Sequence, residues 1–474
     1  SEGIGIEFEE RAKSMGASNP EPQSNSHAID GEAFKYVADV LVEEAGIYPM
    51  LHRTMVATIV ENGVIKGVVV ESKAGREAIL AKRVIDATGD ADIAHRAGAI
   101  VYKTPVEEMM AASVMFSMNG VDKTRFIEDV KSDPHTYSDW FGPGWGMKTS
   151  GKEDELFSPY LKKPFEQAIK SGLIPENLTT ITGTWGALSE QGDLSYLNII
   201  HLAGLDATNP DHLTKGEMEG RRQAMLAIEA LKKYNPGCED AKLRNFGMTL
   251  GIRDTRKIDA VYNMTAQDVH NEAQFEDSIG IFPEFIDGYG VLVLPTTGRY
   301  FQLPYRSMIP KGVENLLVTG RSVGGDKGSH AAVRNMMCCA VNGQGAGVAA
   351  AISIQMNVEV ADVDIKPQVG NSLAVAIGLD DTHILYQEMR DDVTGISRTG
   401  LHYAHGDVNS PGWSFQYTVG DNASGQQLEV IIRDDEDLLI AAWIEGEGRL
   451  SEVVSAVTDG GWSLQTPRRI NAPG

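Results

Sequence analysis

The run Asn315-Leu316-Leu317-Val318-Thr319-Gly320-Arg321 ends an apolar strand on a glycine and an arginine. A loop bearing Gly324, Gly325 and Gly328 follows, then His330 and a small-residue helix from about Ala331. Strand, glycine loop and helix in this order bring bare backbone N–H groups to a helix N-terminus, where the partial positive charge favours an anionic or electron-rich ligand atom. A second β-branched strand, Val84-Ile85-Asp86-Ala87-Thr88, runs into Gly89-Asp90-Ala91-Asp92. Asp90 and Asp92 also read as a turn or N-cap pair before a helix over residues 93–97, and both roles can coexist. Arg253 and Arg256 stand three apart, on one face if their segment is helical. Such a pair could clamp a carboxylate or hold a carbonyl oxygen. Equally, each could pair with Asp254, Asp259 or another acid of this acid-rich chain. His330 lies at the mouth of the helix, where an imidazole could move a proton, although a plain loop or N-cap histidine reads the same way.

The elements that must hold these groups are legible. Residues 331–354 include Gly343, Gly345 and Gly347, each costing about 1 kcal/mol relative to alanine inside a helix. Three such glycines need a packing reason, and a flat face lying close against a sheet or another backbone supplies one. Asp30 sits at an N-cap position ahead of Phe34, Val37 and Leu41, and Gly46 closes that helix. Two strands over residues 55–60 and 64–70 flank Asn62-Gly63, a strong hairpin turn, and a further strand follows near residues 77–80. From about Ile100 the pattern changes: residues 111–118 could be a strand, and residues 134–152 read as an aromatic, glycine-rich loop with Trp140, Phe141 and Trp145. Thr214-Lys215-Gly216-Glu217 reads as a capping box opening a helix to about Tyr234. Beyond residue 361, short apolar runs at 414–419, 428–432 and 438–443 predict a small β-rich appendage.

Composition narrows the class. With 474 residues and 42% apolar content the chain can build two or three cored domains. Its 42 basic against 66 acidic residues leave a charge of −24, which argues against nucleic acid or an anionic membrane as partner. The most apolar window, residues 346–354, is short for a bilayer span. The three cysteines, Cys238, Cys338 and Cys339, suggest no disulfide framework or zinc site, so a reducing, cytoplasmic setting is expected.

Taken together, the 84–92 and 315–334 segments resemble the paired FAD-contacting segments of FAD-dependent oxidoreductases related to fumarate reductase and glutathione reductase. Residues 251–258, Gly-Ile-Arg-Asp-Thr-Arg-Lys-Ile, resemble that family's Gly-Ile-Arg-Glu-Thr-Arg element, and Leu303-Pro304-Tyr305-Arg306 its Ile-Pro-Tyr-Arg pattern. The resemblance implies an α/β fold with a Rossmann-like FAD-binding core and FAD as cofactor. It places Thr88, Gly89 and Asp90 near the ribityl or pyrophosphate part. Gly320, Arg321, Ser322, Gly328, Ala332, Val333 and Arg334 fall near the flavin ring. Arg253, Arg256, His330 and Tyr305 become the catalytic candidates in hydride transfer with a small polar substrate. Tyr300, His201 and Asn198 are weaker candidates, better read as structural.

The family's opening βαβ unit with Gly-x-Gly-x-x-Gly holds the ADP half of FAD. Gly3-Ile4-Gly5 lacks the third glycine, Phe8 occupying that position, and Gly142-Pro143-Gly144 follows no strand. The unit is therefore expected on a second polypeptide, or cleaved from or lacking ahead of Ser1, so that the working form is a hetero-oligomer or a nicked product. The expected organisation is residues 1–100 and 251–360 as two parts of the FAD domain, 101–250 as an inserted α+β substrate domain, and 361–474 as the β-rich extension.

Two rival classes share these residues. Gly320-Arg321-Ser322-Val323-Gly324 matches the Gly-x-Ser-x-Gly nucleophile elbow of serine hydrolases, but Gly325 to Gly328 intervene before the helix and no His-Gly-Gly-Gly segment precedes it. A cofactor-free subunit scaffolding a catalytic partner is the other.

Overall fold

The computed structural model describes residues 3–20, 27–134, 146–148, 158–294 and 298–363, and strands within 373–470. The aromatic loop expected over residues 134–152 falls mostly outside the described residues; Gly146–Lys148 is a strand parallel to Val291–Val293.

Asp30 caps the helix Gly31–Glu44 through the Glu32 and Ala33 N–H groups, and Gly46 at φ 63° ends that segment. Asn62 and Gly63, both at positive φ, turn strand Thr54–Glu61 back into Val64–Ser72, and Gly75–Leu80 completes an antiparallel three-stranded meander. The chain then enters Val84–Asp86, which pairs in parallel with Leu316–Val318, Val84 opposite Leu316 and Asp86 opposite Val318. Side chains alternate across a strand. Leu316 and Val318 accordingly enter one core with Ile65, Ile93 and Ile258, and Leu317 enters the other with Phe282, Phe301 and Ala346. Burial on both faces explains the uninterrupted apolar run, each such side chain contributing roughly 1.5–3 kcal/mol.

Residues 331–354, expected as one helix, form parts of two: Lys327–Val333 and Met336–Met356. The break falls at Asn335, which takes an extended conformation (φ −63°, ψ 142°) while its amide donates to the Ala332 carbonyl at 2.7 Å. Helical propensity along the run gives no sign of this local competition. By length and composition alone Met336–Met356 is apolar enough to cross a membrane, because residues before the 346–354 window extend it. Its Cys338, Ala346, Ala349 and Ala350 pack into the second core.

A third core, from Ala112 to Leu250, lies under the antiparallel sheet ordered Ala187–Leu188, Leu194–Leu197, Phe116–Asn119, Lys242–Phe246. Its long helix, Pro210–Tyr234, begins a turn earlier than the expected capping box. Asn209 caps it by accepting from the Asp211 N–H at 2.9 Å, and Pro210 at the first position has its φ already set for a helix.

The chain divides into two compact units, Ser1–Ile365 and Lys366–Gly474. In the second, two antiparallel sheets include Ser414–Gly420, Leu428–Arg433 and Leu438–Ile444, the strands expected there.

Candidate functional site

Each parallel strand ends in a loop, and the two loops meet. Asp86, 1% exposed, organises the first. Its Oδ1 accepts from the Thr88 N–H at 3.0 Å and the Thr88 hydroxyl at 2.7 Å, and its Oδ2 from the Ala94 N–H at 2.9 Å. One carboxylate thus fixes both the turn and the helix Asp92–Ala97. Asp90 projects from that turn and accepts from Arg321 Nη2 at 2.8 Å and from the Thr255 hydroxyl. Segments 84–92, 251–258 and 315–334 therefore converge on Asp90. Gly89 has φ 83°, and a Cβ there would stand 2.6 Å from Arg321 Nη1. Only glycine leaves room for the guanidinium to cross the turn.

The loop after Leu316–Val318 corrects one expectation. Its N–H groups are largely spent within the chain: Gly320 donates to Asn342 Oδ1 at 2.9 Å, Gly324 to the Ser307 carbonyl at 2.9 Å, and Gly325 to the Tyr102 hydroxyl at 3.0 Å. Asp326 caps the helix Lys327–Val333 by accepting from the Ser329 N–H at 2.9 Å. The positive helix end is already met by this carboxylate. The acceptors come from elements distant in sequence, which the strand–loop–helix pattern does not show. Gly328 has a packing reason, since a Cβ there would collide with Ala266.

What stays open is specific. Gly320 is left-handed (φ 78°) with clear space where a side chain would point. Ser322 Oγ, Arg321 Nε, His330 Nδ1 and Arg334 Nε are buried without a partner among the described residues. Ala332 and Val333 are fully buried behind this loop.

Residues 251–258 are extended, not helical: Gly251 bridges Ser113, and Arg256–Ile258 pairs with Val101–Lys103. Positions three apart in an extended chain face opposite ways. Arg253 donates to the Ala111 carbonyl at 2.6 Å and Asn198 Oδ1 at 3.1 Å, while Arg256 pairs with Asp92 at 2.7 Å. The expected two-arginine clamp does not form from this pair. Burial, aided by Arg334, brings the Arg253 guanidinium down to about 10.

His330 is 1% exposed, with Nε2 donating to the Arg253 carbonyl at 3.0 Å. Burial, then the nearby Lys257 ammonium, push its pKa down to about 3. At neutral pH it is an uncharged imidazole with a bare Nδ1 lone pair. Beneath it lies a buried ion pair the sequence reading missed, Lys257 Nζ to Asp254 Oδ1 at 2.5 Å, with the Tyr289 hydroxyl donating to Asp254 Oδ2. Burial pushes the Asp254 carboxyl up, but the Lys257 charge and these hydrogen bonds hold it below its ordinary value. A lysine and an aspartate three apart in sequence gave no sign of a joint interior position.

Tyr305 lies in the second core, its hydroxyl donating to the Val360 carbonyl at 2.7 Å, and burial pushes its pKa up. Arg306 pairs with Asp277 at 2.9 Å. Arg334 reaches Asp287 Oδ2 at 3.0 Å. His201 Nε2 meets the Thr182 carbonyl at 3.1 Å, burial lowering this imidazole to about 4, and Asn198 Oδ1 also accepts from the Ser113 hydroxyl at 3.0 Å. Tyr300 is exposed, on strand Tyr300–Pro304. The elbow reading fails on chemistry: Ser322 sits in a 3-10 turn, its hydroxyl without an imidazole or any other partner among the described residues.

Parallel strands whose C-terminal loops meet at glycines are the framework of nucleotide-binding α/β proteins. The sequence profile of the family described as FAD dependent oxidoreductase matches residues 1–373, and the chain belongs to that family, whose cofactor is FAD. No curated protein matches the chain. Among solved structures, a geranylgeranyl bacteriochlorophyll reductase-like protein from Thermoplasma acidophilum is similar over 73% of this chain, at 14% identity and a TM-score of 0.32. The chain spans 58% of that protein's length. The residues present fit a flavin nucleotide at the strand ends, where Gly320 is open and Ser322 has an uncommitted hydroxyl, more than at the helix start, which Asp326 already caps.

Proposed function

We propose that this chain is an FAD-dependent dehydrogenase moving a hydride between a small polar organic substrate and FAD. The observation that carries the reading is the meeting of the Gly89 and Gly320 loops at the ends of two parallel strands, tied by Arg321 and Asp90. Bound FAD supplies the two-electron centre. Thr88, Gly89 and Asp90 would hold its ribityl or pyrophosphate part, and Gly320, Arg321 and Ser322 the ring side, with Ala332 and Val333 packed behind. Arg253 faces the substrate. His330, with a pKa far below neutrality, serves better as a hydrogen-bond acceptor at Nδ1 than as a proton store.

Among the described residues the parallel pairing of Val84–Asp86 with Leu316–Val318 is small by the standards of such sheets, which are normally larger and covered on both faces. We infer that a glycine-rich βαβ unit on a second polypeptide adjoins it and grips the ADP half, making the working form a hetero-oligomer. Native mass spectrometry and a visible spectrum of the natural assembly test both parts. The expected result is a partner chain together with flavin bands. An assembled, active sample without flavin would defeat the assignment.

A further inference from the structure

His330 combines two properties that conflict. Its Nδ1 is a buried acceptor without a donor among the described residues, yet the residue is 1% exposed, so a ligand reaches that nitrogen only when something beside the ring moves. The far side of the ring is fixed, with Nε2 donating to the Arg253 carbonyl at 3.0 Å and Asp254 Oδ1 standing 3.9 Å away. Tyr289 stands against the imidazole, ring centroids 6.4 Å apart and planes tilted by 53°.

Tyr289 is held under strain. It forms the tip of the hairpin joining Ile286–Gly288 to Val291–Val293, between Gly288 and Gly290, and its φ of 51° is a left-handed conformation that a bulky side chain rarely adopts. Such strain persists only where the surroundings over-determine it. Here the hold is the Tyr289 hydroxyl, which donates to Asp254 Oδ2 while Lys257 Nζ pins Oδ1 of the same buried carboxylate at 2.5 Å. Thr104 meets that hydroxyl as well. On the solvent side the Lys327 side chain, 42% exposed, places its ammonium 5.9 Å from the Tyr289 ring centroid. The phenol ring thus stands between an exposed cation and a buried imidazole.

We propose that Tyr289 is a gate over His330: latched to Asp254 it shuts the imidazole away from solvent, and released it swings out with its hairpin tip and opens Nδ1 to a ligand that donates a hydrogen bond. The Asp254–Lys257 ion pair is the fixed post on which the latch closes. Relief of backbone strain favours opening once the hydroxyl lets go. That the incoming ligand is the substrate of a flavin reaction rests on the dehydrogenase reading, but the gate does not.

The gate is tested by treating the full chain with diethyl pyrocarbonate, which acylates neutral imidazoles, and following each histidine by peptide mass spectrometry. His330, held by burial to about 3, is neutral at neutral pH, so its protection reports access and not charge. His201, lowered to about 4, is neutral too and serves as the internal control. Tyr289→Phe removes the latch and keeps the ring, so labelling of His330 should rise about tenfold or more, as for loss of one hydrogen bond to a charged group, with His201 labelled as in the parent. Tyr289→Gly suits the left-handed backbone and removes the ring, and should expose His330 at least as much. Labelling of His330 at the parental rate in both variants, or a rise shared equally by His201, would overturn the proposal. FAD retention by the same samples is read separately from the visible spectrum. A working gate in protein that retains no FAD would count against the flavin reading alone, and retained FAD with His330 freely labelled in the parent against the gate alone.

Discussion

Arg321 and Asp90 stand 231 residues apart in sequence, yet Arg321 Nη2 lies 2.8 Å from Asp90 Oδ1. Both side chains are mostly shielded, at 27% and 22% exposure. The pair closes the ends of two parallel strands onto one another, and the Thr255 hydroxyl joins at the same carboxylate. Replacing Arg321 by Ala should cost about 1.5–3 kcal/mol, the range for a hydrogen bond to a charged group. Urea denaturation measures this, and FAD affinity should fall in the same variant. A variant as stable as the parent with unchanged FAD affinity would remove the tie from the account.

Gly89 makes a sharper demand. At φ 83° with Arg321 Nη1 2.6 Å from a would-be Cβ, Gly89→Ala combines backbone strain with a collision. The expected loss is about 1–3 kcal/mol. Gly320→Ala is the useful contrast, since open space surrounds that position and only its left-handed backbone resists. It should cost less stability than Gly89→Ala but as much FAD affinity, because the new methyl enters the space assigned to the flavin.

Much of this was legible beforehand, and the failures share a cause. The two glycine loops, the Asn62-Gly63 hairpin and the Asp30 cap are local signals, and local physics forms them as read. Whether the Gly251 to Ile258 segment is helical or extended was left open, because the strand that settles it, Val101–Lys103, lies about 150 residues away. The spent N–H groups of the second loop depend on Asn342, Ser307 and Tyr102, none adjacent in sequence. Asp287 and the Asp254–Lys257 pair were missed for the same reason: tertiary contacts give them meaning, and no spacing rule does.

The two arginines of that segment should now behave differently. Arg253→Gln is expected to raise KM about tenfold or more, with little change in stability, because its partners are neutral groups. Arg256→Gln should lower stability through loss of the Asp92 pair, with kcat/KM near that of the parent. Steady-state kinetics beside denaturation curves distinguish them. Unchanged turnover in both variants would instead favour a scaffolding subunit.

Acid should weaken the fold over a defined window. Burial holds His330 to about 3 and His201 to about 4 in the native state. An imidazole in the unfolded chain titrates near 6.5 (about that value in model peptides). Below that pH the unfolded chain takes up protons that the native state refuses, so the stabilising effect of both neutral rings is complete above about pH 6.5 and declines as pH falls toward 4 and then 3. Urea midpoints should fall across that window, and His330→Gln, which cannot titrate, should show a shallower slope. An equal slope in parent and variant would show that His330 is not held neutral.

The most direct test of the central claim is the flavin content of the assembled protein after FAD loading and desalting, read from its visible spectrum. The account predicts about one FAD per chain in the parent and little in Gly320→Val, with the far-ultraviolet circular dichroism of the two alike. Equal flavin retention in both would contradict it, because the open side of Gly320 would then not be where FAD lies.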